Sequence, residues 1–407
     1  MRVLYIHQHF STPKGSGGTR SYEFAKRLIQ AGHQVTMVCG RHQMGHTGGD
    51  SPFSKGSRAF QVDDIDVIEI DIPYSNHDSF LQRIQKFLAF SYRVCRLALT
   101  RDYDLIFATT TPLTVGIPCI LAKWFRRKPF IFEVRDLWPE LPKAMGVIKN
   151  PVILWLMGVL EKRSYKAADA LIGLSPGIVE GVKRIVPHKS VAMIPNGCDE
   201  IFSEAAHKIP LPGFHPNDFI AVFTGAHGMA NGLDAVLDAA VELKKMDQPH
   251  IKLLLIGDGK LKPELEQRAQ EQGLDSCVFW APISKLKLTA LLQSVDVGLM
   301  ILKNIPAFYY GTSPNKFFDY IAAGLPVLNN YPGWLAGMIT ESGCGLAVKP
   351  DDPAAFASAL IELSEHPERL AEMRVNARKL TQQFDRKVLA AKFLEFIEGA
   401  YENTPLL

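Results

Sequence analysis

Two features that would send this chain into or across a membrane are missing from its sequence. The opening residues, Met-Arg-Val-Leu-Tyr-Ile-His, alternate with polar side chains and lack the apolar core of a signal peptide. The longest apolar stretch, residues 151–160, is about half as long as a membrane-spanning helix needs. We therefore expect a cytoplasmic protein without a spanning helix.

Cysteine is scarce and unpatterned. The chain has six cysteines and no Cys-x-x-Cys pair, so the sequence predicts neither a zinc site nor a disulfide framework. Most of them stand beside apolar residues, which is typical of buried free thiols.

Net charge is small overall but uneven along the chain. The 407 residues, 47% hydrophobic and 21% charged, are typical of a soluble globular protein of two domains. Residues 1–200 carry a net charge of +8 and residues 201–407 a net charge of −5. A basic half predicts an anionic partner, which leaves nucleic acid or an anionic membrane surface. Because no basic run or aromatic platform of the single-strand type is present, we do not expect nucleic acid.

The first forty residues predict a strand, a glycine-rich loop, a helix and a second strand, which is the start of a parallel sheet. Gly15, Gly17 and Gly18 would let the backbone approach a ligand closely. The spacing is not Gly-x-Gly-x-x-Gly, so a dehydrogenase is disfavoured. A flexible turn is the alternative interpretation.

Strands and helices continue to alternate up to about residue 200. Residues 40–63 lack periodicity and predict a loop of the kind found over active sites. Helices predicted at 78–100 and 112–125 are basic along one edge and have aromatic neighbours. Each either rests on anionic lipid head groups or simply has one buried and one solvated face.

Charged side chains follow a predicted strand at 129–134. Glu133, Arg135 and Asp136 would lie at the carboxyl end of a parallel sheet, where ligands bind in such folds. A structural Arg135–Asp136 ion pair is the alternative. His7 and His9 end the first strand and share one face of it; a metal site there lacks an evident third ligand, so we expect a histidine pair near the ligand.

The second half repeats this plan after a proline-rich linker at 205–217. A strand leads into the loop that contains Gly225 and His227, and another strand leads into Gly257. The last helix, at 387–401, suits a segment that returns to the first domain. The fold class predicted is α/β, with two doubly wound Rossmann-like domains. They span residues 1–200, with a returning helix at about 385–407, and residues 201–384.

The stretch 310–328 predicts a ligand site. Gly311 is expected in a loop, Ser313 as the N-cap of a short helix, and Lys316 in its first turn. A cation is unfavourable at the positive end of a helix dipole, so its presence there suggests a bound anion, most naturally a phosphate. Asn315 lies beside it, and Asp319, about one turn later, could accept hydrogen bonds from sugar hydroxyls. A solvated lysine and aspartate are the alternative.

Three motifs in order carry a resemblance to a known family. They are Pro-Asn-Gly-Cys-Asp at 195–199, Gly-Asp-Gly at 257–259 and Asp-Tyr-Ile-Ala-Ala-Gly-Leu-Pro-Val at 319–327. Over essentially its whole length the chain resembles glycosyltransferase family 4, whose two domains face each other across a cleft in the GT-B architecture. Residues 133–139 and 225–234 are similar to a branch that builds bacterial surface polysaccharides, near the N-acetylfucosamine transferases of WbuB type.

The resemblance implies a retaining, metal-independent transfer from a nucleotide sugar, with UDP the expected nucleotide. The C-terminal domain would bind the donor through Gly225, His227, Gly257, Asn315 and Lys316, with Asp319 on the ribose. The N-terminal domain would bind a lipid-linked or saccharide acceptor, with Glu133 and His9 orienting it. Gly17 and Gly18 would close on the diphosphate or sugar. Arg135, Asp136 and Lys316 are the catalytic candidates. No cofactor or metal is expected, since no Asp-x-Asp pair is poised for one.

Three departures from the family pattern matter. Gly311 stands where the family has the first Glu of its Glu-x7-Glu pair, Asn231 replaces a lysine, and Arg135 replaces a histidine. Lys316 is expected to take over the role of the missing lysine. Two other functions remain open: a nucleotide-sugar epimerase of the same fold, and a non-catalytic protein that binds a membrane surface or nucleic acid.

Overall fold

A computed structural model of the chain describes residues 1–42, 45–75, 77–202 and 209–403. The chain divides into two compact units, one formed by residues 1–196, 310–313 and 387–407 and the other by 197–309 and 314–386. Within the described residues, no helix is long and apolar enough to cross a membrane.

The first unit is built on an eight-stranded sheet in the order β3-β4-β2-β1-β5-β6-β7-β8, in which every neighbouring pair except β3–β4 is parallel. Its elements are β1 (Arg2–Ile6), α1 (Arg20–Gln30), β2 (Gln34–His42), β3 (Ser57–Val62), β4 (Ile65–Tyr74), α2 (Phe80–Thr100), β5 (Leu105–Thr109), a 3-10 turn (Leu113–Val115), α3 (Gly116–Arg126), β6 (Phe130–Val134), α4 (Glu140–Ala144), α5 (Pro151–Ala167), β7 (Ala170–Gly173), α6 (Pro176–Ile185) and β8 (Val191–Met193).

The second unit has a wholly parallel sheet in the order β11-β10-β9-β12-β13-β14, the order of a dinucleotide-binding fold. The elements that follow β8 in the chain are a 3-10 turn (Glu200–Phe202), β9 (Phe219–Thr224), α7 (Asp234–Lys245), β10 (Ile251–Ile256), α8 (Lys262–Glu271), β11 (Cys277–Trp280), α9 (Lys285–Leu292), β12 (Val297–Met300), α10 (Pro306–Gly311), α11 (Asn315–Ala322), β13 (Val327–Asn329), α12 (Trp334–Ser342), β14 (Gly345–Ala347), α13 (Pro353–Glu365), α14 (Pro367–Thr381) and α15 (Arg386–Glu402).

The first sheet is covered on both faces because its strands alternate between two cores. Leu4 and Ile106 point into a core shared with α2, α3, α5 and α6. Val3 and Phe107 point into a second core shared with α1 and α15. Phe24 of α1 stacks on Phe393 of α15, with ring centroids 4.2 Å apart. The last helix therefore packs on the first unit.

Three local expectations are wrong. Residues 40–63 are not a plain loop, because β2 extends to His42 and β3 pairs antiparallel with β4; residues 43 and 44 of this stretch lie outside the described part. Ser313 does not cap α11: its hydroxyl accepts a hydrogen bond from the Asn196 backbone N–H at 3.0 Å, and Pro314 takes the cap position. Gly311 ends α10 rather than lying in a loop. The linker predicted at 205–217 falls partly outside the described residues.

Of the four places where the chain crosses between units, the first, after residue 196, and the last, after residue 386, lie side by side. The Cys198 N–H donates to the Phe384 carbonyl at 2.8 Å, and the Arg386 N–H donates to the Cys198 carbonyl at 2.9 Å. The Arg386 guanidinium also donates to the Gly197 carbonyl at 2.8 Å and to the Asp199 carboxylate at 2.7 Å. The segments that enter and leave the second unit are thus joined to each other.

A fully buried ion pair joins three parts of the first unit. Arg20, at the start of α1, donates to the Glu133 carboxylate through Nε at 2.9 Å and Nη2 at 2.7 Å. The same guanidinium donates to the carbonyls of Ile194 and Pro195. Thr109 donates to the other Glu133 oxygen at 2.7 Å. Arg20 and its partners hold the carboxyl end of β6 against α1 and the segment after β8. Burial raises the pKa of Glu133, but the charges of Arg20 and Arg135 and the hydrogen bonds from Arg20 and Thr109 outweigh it, so the pKa is lowered.

We expect Arg20→Met to destabilise the first unit by roughly 3–5 kcal/mol, because it leaves the Glu133 carboxylate buried without a counterion. Urea unfolding of the wild type and variant measures the loss. Lys245→Met is a matched control, since Lys245 and Glu242 form an exposed surface pair whose loss costs less than ~1 kcal/mol. Adding Glu133→Gln to Arg20→Met should recover part of the stability; equal losses in the single and double variants would contradict the buried-charge argument.

Candidate functional site

Each sheet has a point at which the strand order reverses, between β1 and β5 in the first unit and between β9 and β12 in the second. In open parallel sheets, ligands bind beyond the carboxyl ends of the strands at this point. The residues there are His7 and its neighbours after β1, and the loop that starts with Gly225 after β9. Both predicted regions therefore occupy the positions where this topology places ligands.

In the second unit, two glycine loops pack directly against each other. A Cβ at Gly257 would lie 1.8 Å from the Gly225 carbonyl oxygen and 3.2 Å from Cδ2 of His227. The Gly225 N–H donates to the Ile256 carbonyl, and the His227 N–H donates to the Asp258 carbonyl, each at 3.0 Å. The loops after β9 and β10 can approach this closely only because Gly257 has no side chain.

Lys316 lies over the first of these loops. Its Nζ donates to Oδ1 of Asn231 at 2.8 Å and stands 4.1 Å from the centroid of the Phe223 ring. A Cβ at Gly225 would lie 3.4 Å from the same Nζ. Among the described residues no carboxylate lies within salt-bridge distance of Lys316, and burial lowers its pKa to about 7. Asn231 stands where the resembled family has its lysine, and the Lys316 ammonium lies directly beside it.

Two polar side chains near Lys316 have no partner in the part of the chain that the structure describes. His227 is fully buried, and neither of its ring nitrogens makes a hydrogen bond. Burial and the nearby Lys262 and Lys316 ammonium groups lower its pKa to about 4, so the imidazole is neutral. Oδ1 of Asn315, in the first turn of α11, is also buried and unpaired. Buried polar groups usually have partners, so these atoms point to a ligand that supplies them.

Asp319 belongs to a different environment from Lys316. It is buried, and its Oδ1 lies 3.1 Å from Nζ of Lys285, which also pairs with Asp199. Asp199 in turn pairs with Arg386. Burial and the neighbouring Asp199 carboxylate raise the pKa of Asp319 to about 6, against the effect of Lys285. Contact between Asp319 and a ribose stays a prediction, and it would have to be made by a carboxylate that already has a lysine partner.

Lys285, Asp199 and Arg386 were not singled out from the sequence. Asp199 closes one of the three family motifs, which was the available signal for it. Lys285 and Arg386 each begin a helix, and nothing in their local sequence distinguishes them from solvated surface residues. Only the tertiary structure places the four charged groups together.

In the first unit, a cavity of about 230 Å³ collects four of the predicted residues: His9, Gly17, Gly18 and Arg135. His7 and His42 also line it. A larger cavity of about 680 Å³ lies beside β7, β8 and α15 and contains none of the predicted residues. The smaller cavity is the better site candidate because it lies at the carboxyl ends of the strands.

The histidines of this cavity are neutral. Burial lowers the pKa of His7, and burial together with His42 and Arg135 lowers the pKa of His9 to about 3. Their rings lie 6.4 Å apart, and Nδ1 of each is buried without a partner among the described residues. Nη1 of Arg135 lies 3.4 Å from Nε2 of His7. No cluster of metal-ligating side chains is found in the described ranges.

The three charged residues at the carboxyl end of β6 have different environments. Glu133 is buried with both oxygens hydrogen-bonded, so any effect on an acceptor would have to act through its partners. Arg135 and Asp136 are partly exposed, and the described residues include no salt bridge between them. The Thr111 hydroxyl donates to Oδ2 of Asp136 at 3.5 Å, and burial raises the pKa of Asp136. A raised pKa suits a group that accepts a proton.

We expect a pH-dependent contribution of Lys316 to stability. Since the pKa of Lys316 is about 7 in the folded protein and 10.5 for an ordinary lysine, the unfolded chain holds one more proton between these values. The folded state therefore gains stability from this group as pH rises from about 7 to 10, by at most ~1.4 kcal/mol per pH unit. Lys316→Met should remove this gain, and urea unfolding across the range measures it.

The exposed Lys287, replaced by Met, is the matched control for that experiment. If the free energies of unfolding of the wild type and of Lys316→Met differ by the same amount at every pH between 7 and 10, the ammonium remains charged in the folded protein.

Comparison with known proteins identifies the two halves. Residues 15–197 match the family model of a glycosyl transferase 4-like domain, and residues 218–366 match the model of glycosyl transferases group 1. The probable glycosyltransferase WbjE of Pseudomonas aeruginosa is 27% identical over 307 residues, which cover 72% of this chain and 74% of that relative. The O-antigen chain mannosyltransferase C of Escherichia coli is 22% identical over 242 residues, 57% of this chain and 61% of the relative.

Solved structures match over nearly the whole chain. The sucrose-phosphate synthase from Thermosynechococcus elongatus gives a TM-score of 0.76 at 18% identity and covers 99% of this chain and 100% of that one. Anabaena HepE in complex with UDP-glucose gives a TM-score of 0.67 at 15% identity and covers 98% and 100%. These likenesses confirm the predicted fold class. The chain is a glycosyltransferase of the GT-B fold, with a glycosyl transferase 4-like domain followed by a glycosyl transferases group 1 domain.

Proposed function

We propose that this protein is a retaining, metal-independent glycosyltransferase of the hexosyl type that uses a UDP-sugar. The acceptor is a lipid-linked or saccharide molecule, and the product belongs to a bacterial surface polysaccharide such as O-antigen or capsule. The observation that carries the proposal is the Lys316 ammonium, which lies at the N-terminal end of α11 and over the Gly225 loop without a carboxylate partner in the described chain.

A diphosphate is the ligand that best fits this arrangement. The diphosphate would be the counterion of the Lys316 ammonium, and the first-turn amides of α11 would donate hydrogen bonds to the phosphate oxygens. His227 and Asn315 offer unpaired polar atoms for the remaining phosphate or sugar oxygens. The complex of Anabaena HepE, a protein of the same fold, with UDP-glucose supports UDP as the nucleotide.

The proposed transfer needs no metal. The bond between the anomeric carbon and the diphosphate oxygen breaks, and a bond forms from that carbon to the acceptor oxygen on the same face. Negative charge develops on the diphosphate, where Lys316 and the helix amides stabilise it; one such donor is typically worth ~3 kcal/mol. The leaving phosphate oxygen takes the acceptor proton, so atoms and charge balance without a further reactant.

In this proposal, residues of the first unit bind the acceptor substrate. Asp136, whose pKa is raised by burial, accepts a hydrogen bond from the acceptor hydroxyl and so orients it, while the proton itself passes to the leaving phosphate. Arg135 and His9 line the cavity beside Gly17 and Gly18 and bind acceptor or sugar oxygens there. Glu133 positions this edge through its ion pair with Arg20.

The role of the reaction and its location in the cell depend on the acceptor in this proposal. The name of the Escherichia coli relative, an O-antigen chain mannosyltransferase, supports a role in surface polysaccharide synthesis. The resemblance of residues 133–139 and 225–234 to WbuB-type enzymes favours an N-acetylated deoxyhexosamine or hexosamine as the transferred sugar. A lipid-linked acceptor places the protein in the cytoplasm, peripheral on the inner face of the cell membrane.

We expect Lys316→Ala to abolish the thermal stabilisation that UDP gives the wild type without unfolding the protein. At ligand concentrations of 10–100 times Kd, the wild type should gain about 1.4–2.7 kcal/mol. A thermal-shift screen with UDP-, GDP- and dTDP-sugars measures this and selects the nucleotide. Lys287→Ala, at an exposed lysine of the same unit, should keep the full shift.

An unchanged UDP-dependent shift in Lys316→Ala would remove this lysine from the donor site. Transfer itself is tested with radiolabelled UDP-sugars and extracted membranes. Absence of transfer from every donor would contradict the enzyme proposal, and conversion of the donor to its epimer without transfer would favour the epimerase instead.

We also expect EDTA to leave the transfer rate unchanged within about twofold. A bound Mg²⁺ would stabilise the developing diphosphate charge, and its removal would be expected to slow transfer by orders of magnitude. Here the Lys316 ammonium provides that charge. Loss of activity in EDTA that returns on adding Mg²⁺ would show that a metal is required.

A further inference from the structure

Three helices of the first unit, α2, α3 and α5, lie side by side over one face of its sheet and share one core with it. Their outer surface is unusually apolar. Eight large hydrophobic side chains on these helices are exposed: Leu81, Leu88, Tyr92, Trp124, Phe125, Val152, Trp155 and Leu156. The opposite face, covered by α1 and α15, exposes only Val388 among the large hydrophobic residues of the described chain.

The outward side of α3 shows most clearly that this surface is not an ordinary solvated face. Ile117, Leu121, Trp124 and Phe125 follow one another at helical spacing, and all are partly or fully exposed. Trp124 is 61% exposed and Phe125 73%. A helix that is apolar on all sides is expected inside a protein or against a membrane, not facing water.

All but one of the charged side chains on these helices are basic. Together α2, α3 and α5 contain nine Lys and Arg residues and one acidic residue, Glu161, which is only 8% exposed. The opposite helix α15 has three basic and three acidic residues. Arg96, Lys162, Arg163 and Lys166 are exposed and make no salt bridge with any residue that the structure describes. Exposed tryptophan next to Lys and Arg side chains without acidic partners is typical of protein surfaces that bind lipid head groups.

We propose that the outer face of α2, α3 and α5 docks on an anionic lipid bilayer. A second copy of the chain does not fit, because a symmetric contact would oppose two sets of unpaired cations. Negative head groups supply the missing charge, and the boundary between head groups and acyl chains receives the exposed Trp, Phe and Leu side chains. The inference deepens the peripheral location in the proposed function, but it rests on this surface and not on the identity of the sugar.

The position of the face also relates it to the acceptor cavity. Helix α2 begins just after β4 and α3 just after β5, so both start at the carboxyl-end edge of the sheet. The cavity with His9 and Arg135 lies at the same edge of the same unit. Leu81, in the first turn of α2, and Val152, in the first turn of α5, are 69% and 61% exposed. A lipid-linked acceptor held in the bilayer would therefore reach the cavity from the docked face.

Binding to lipid vesicles tests the proposal. The probes are vesicles of phosphatidylcholine alone and of phosphatidylcholine with about one third phosphatidylglycerol, at low and high salt. The wild type should bind the anionic vesicles, its binding should weaken as the salt concentration rises, and it should not bind the neutral vesicles. Arg96→Gln with Arg163→Gln should weaken binding about thirtyfold, at about fivefold for each cation near the surface. Trp124→Ser with Trp155→Ser should weaken it at every salt concentration.

Control pairs on the second unit carry the same changes in chemistry. Lys287→Gln with Lys379→Gln removes two exposed cations, and Met246→Ser with Val375→Ser removes two exposed hydrophobic side chains. Both controls should bind anionic vesicles like the wild type. Equal binding to neutral vesicles, equal loss in the control pairs, or retained binding in both face variants would each overturn the proposal. So would a dimer of the wild type that the face variants convert to a monomer.

The UDP-dependent thermal shift separates this inference from the proposed function. Every face variant should keep the full shift, because the substituted side chains lie outside both candidate sites. If the shift is kept and vesicle binding does not change, the docking surface is wrong while the donor site stands. If the wild type shows no shift but the face variants lose vesicle binding, the docking surface stands and the donor proposal fails.

Discussion

The second domain is organised around the Lys316 side chain, whose Nζ lies against the Gly225 loop and an aromatic ring and has no carboxylate partner among the described residues. Lys316 has the Asn231 amide oxygen and the Phe223 ring as its neighbours, neither of which neutralises it. Burial favours the neutral amine, whereas the ring and any anion that enters favour the ammonium. An anion bound beside Lys316 would therefore favour its charged form, at the place where the strand order reverses.

Much of this arrangement could be predicted because it depends on local signals. Glycine loops after apolar strands and a lysine at a helix start can be recognised without knowing the tertiary structure, and they located Gly225, Gly257 and Lys316. The ion partner of Asp319 could not be found in this way. Lys285 lies 34 residues earlier in the chain and reaches Asp319 only through the packing of α9 against neighbouring elements, which no local pattern encodes.

The local errors also have physical causes. Strand β3 lies at the edge of the sheet, pairs on one side only and is at most partly buried; Phe60 and Val62 are its only two large apolar side chains, an alternation too short to predict a strand. Ser313 has the side chain of a good helix cap, but its hydroxyl accepts a hydrogen bond from Asn196 instead. The Ser313 side chain is directed towards Asn196, and Pro314 occupies the cap position of α11 instead.

The pairing of the two crossing segments has a consequence for the diversity of such enzymes. Residues 197–386 begin and end on strands of backbone that are hydrogen-bonded neighbours, through Cys198, Phe384 and Arg386. A block whose two ends meet can be exchanged as a cassette, provided that its replacement satisfies this junction and keeps the short return of residues 310–313 to the first unit. Recombination at this junction would join an existing first domain to a different second domain in a single step, without rebuilding either core.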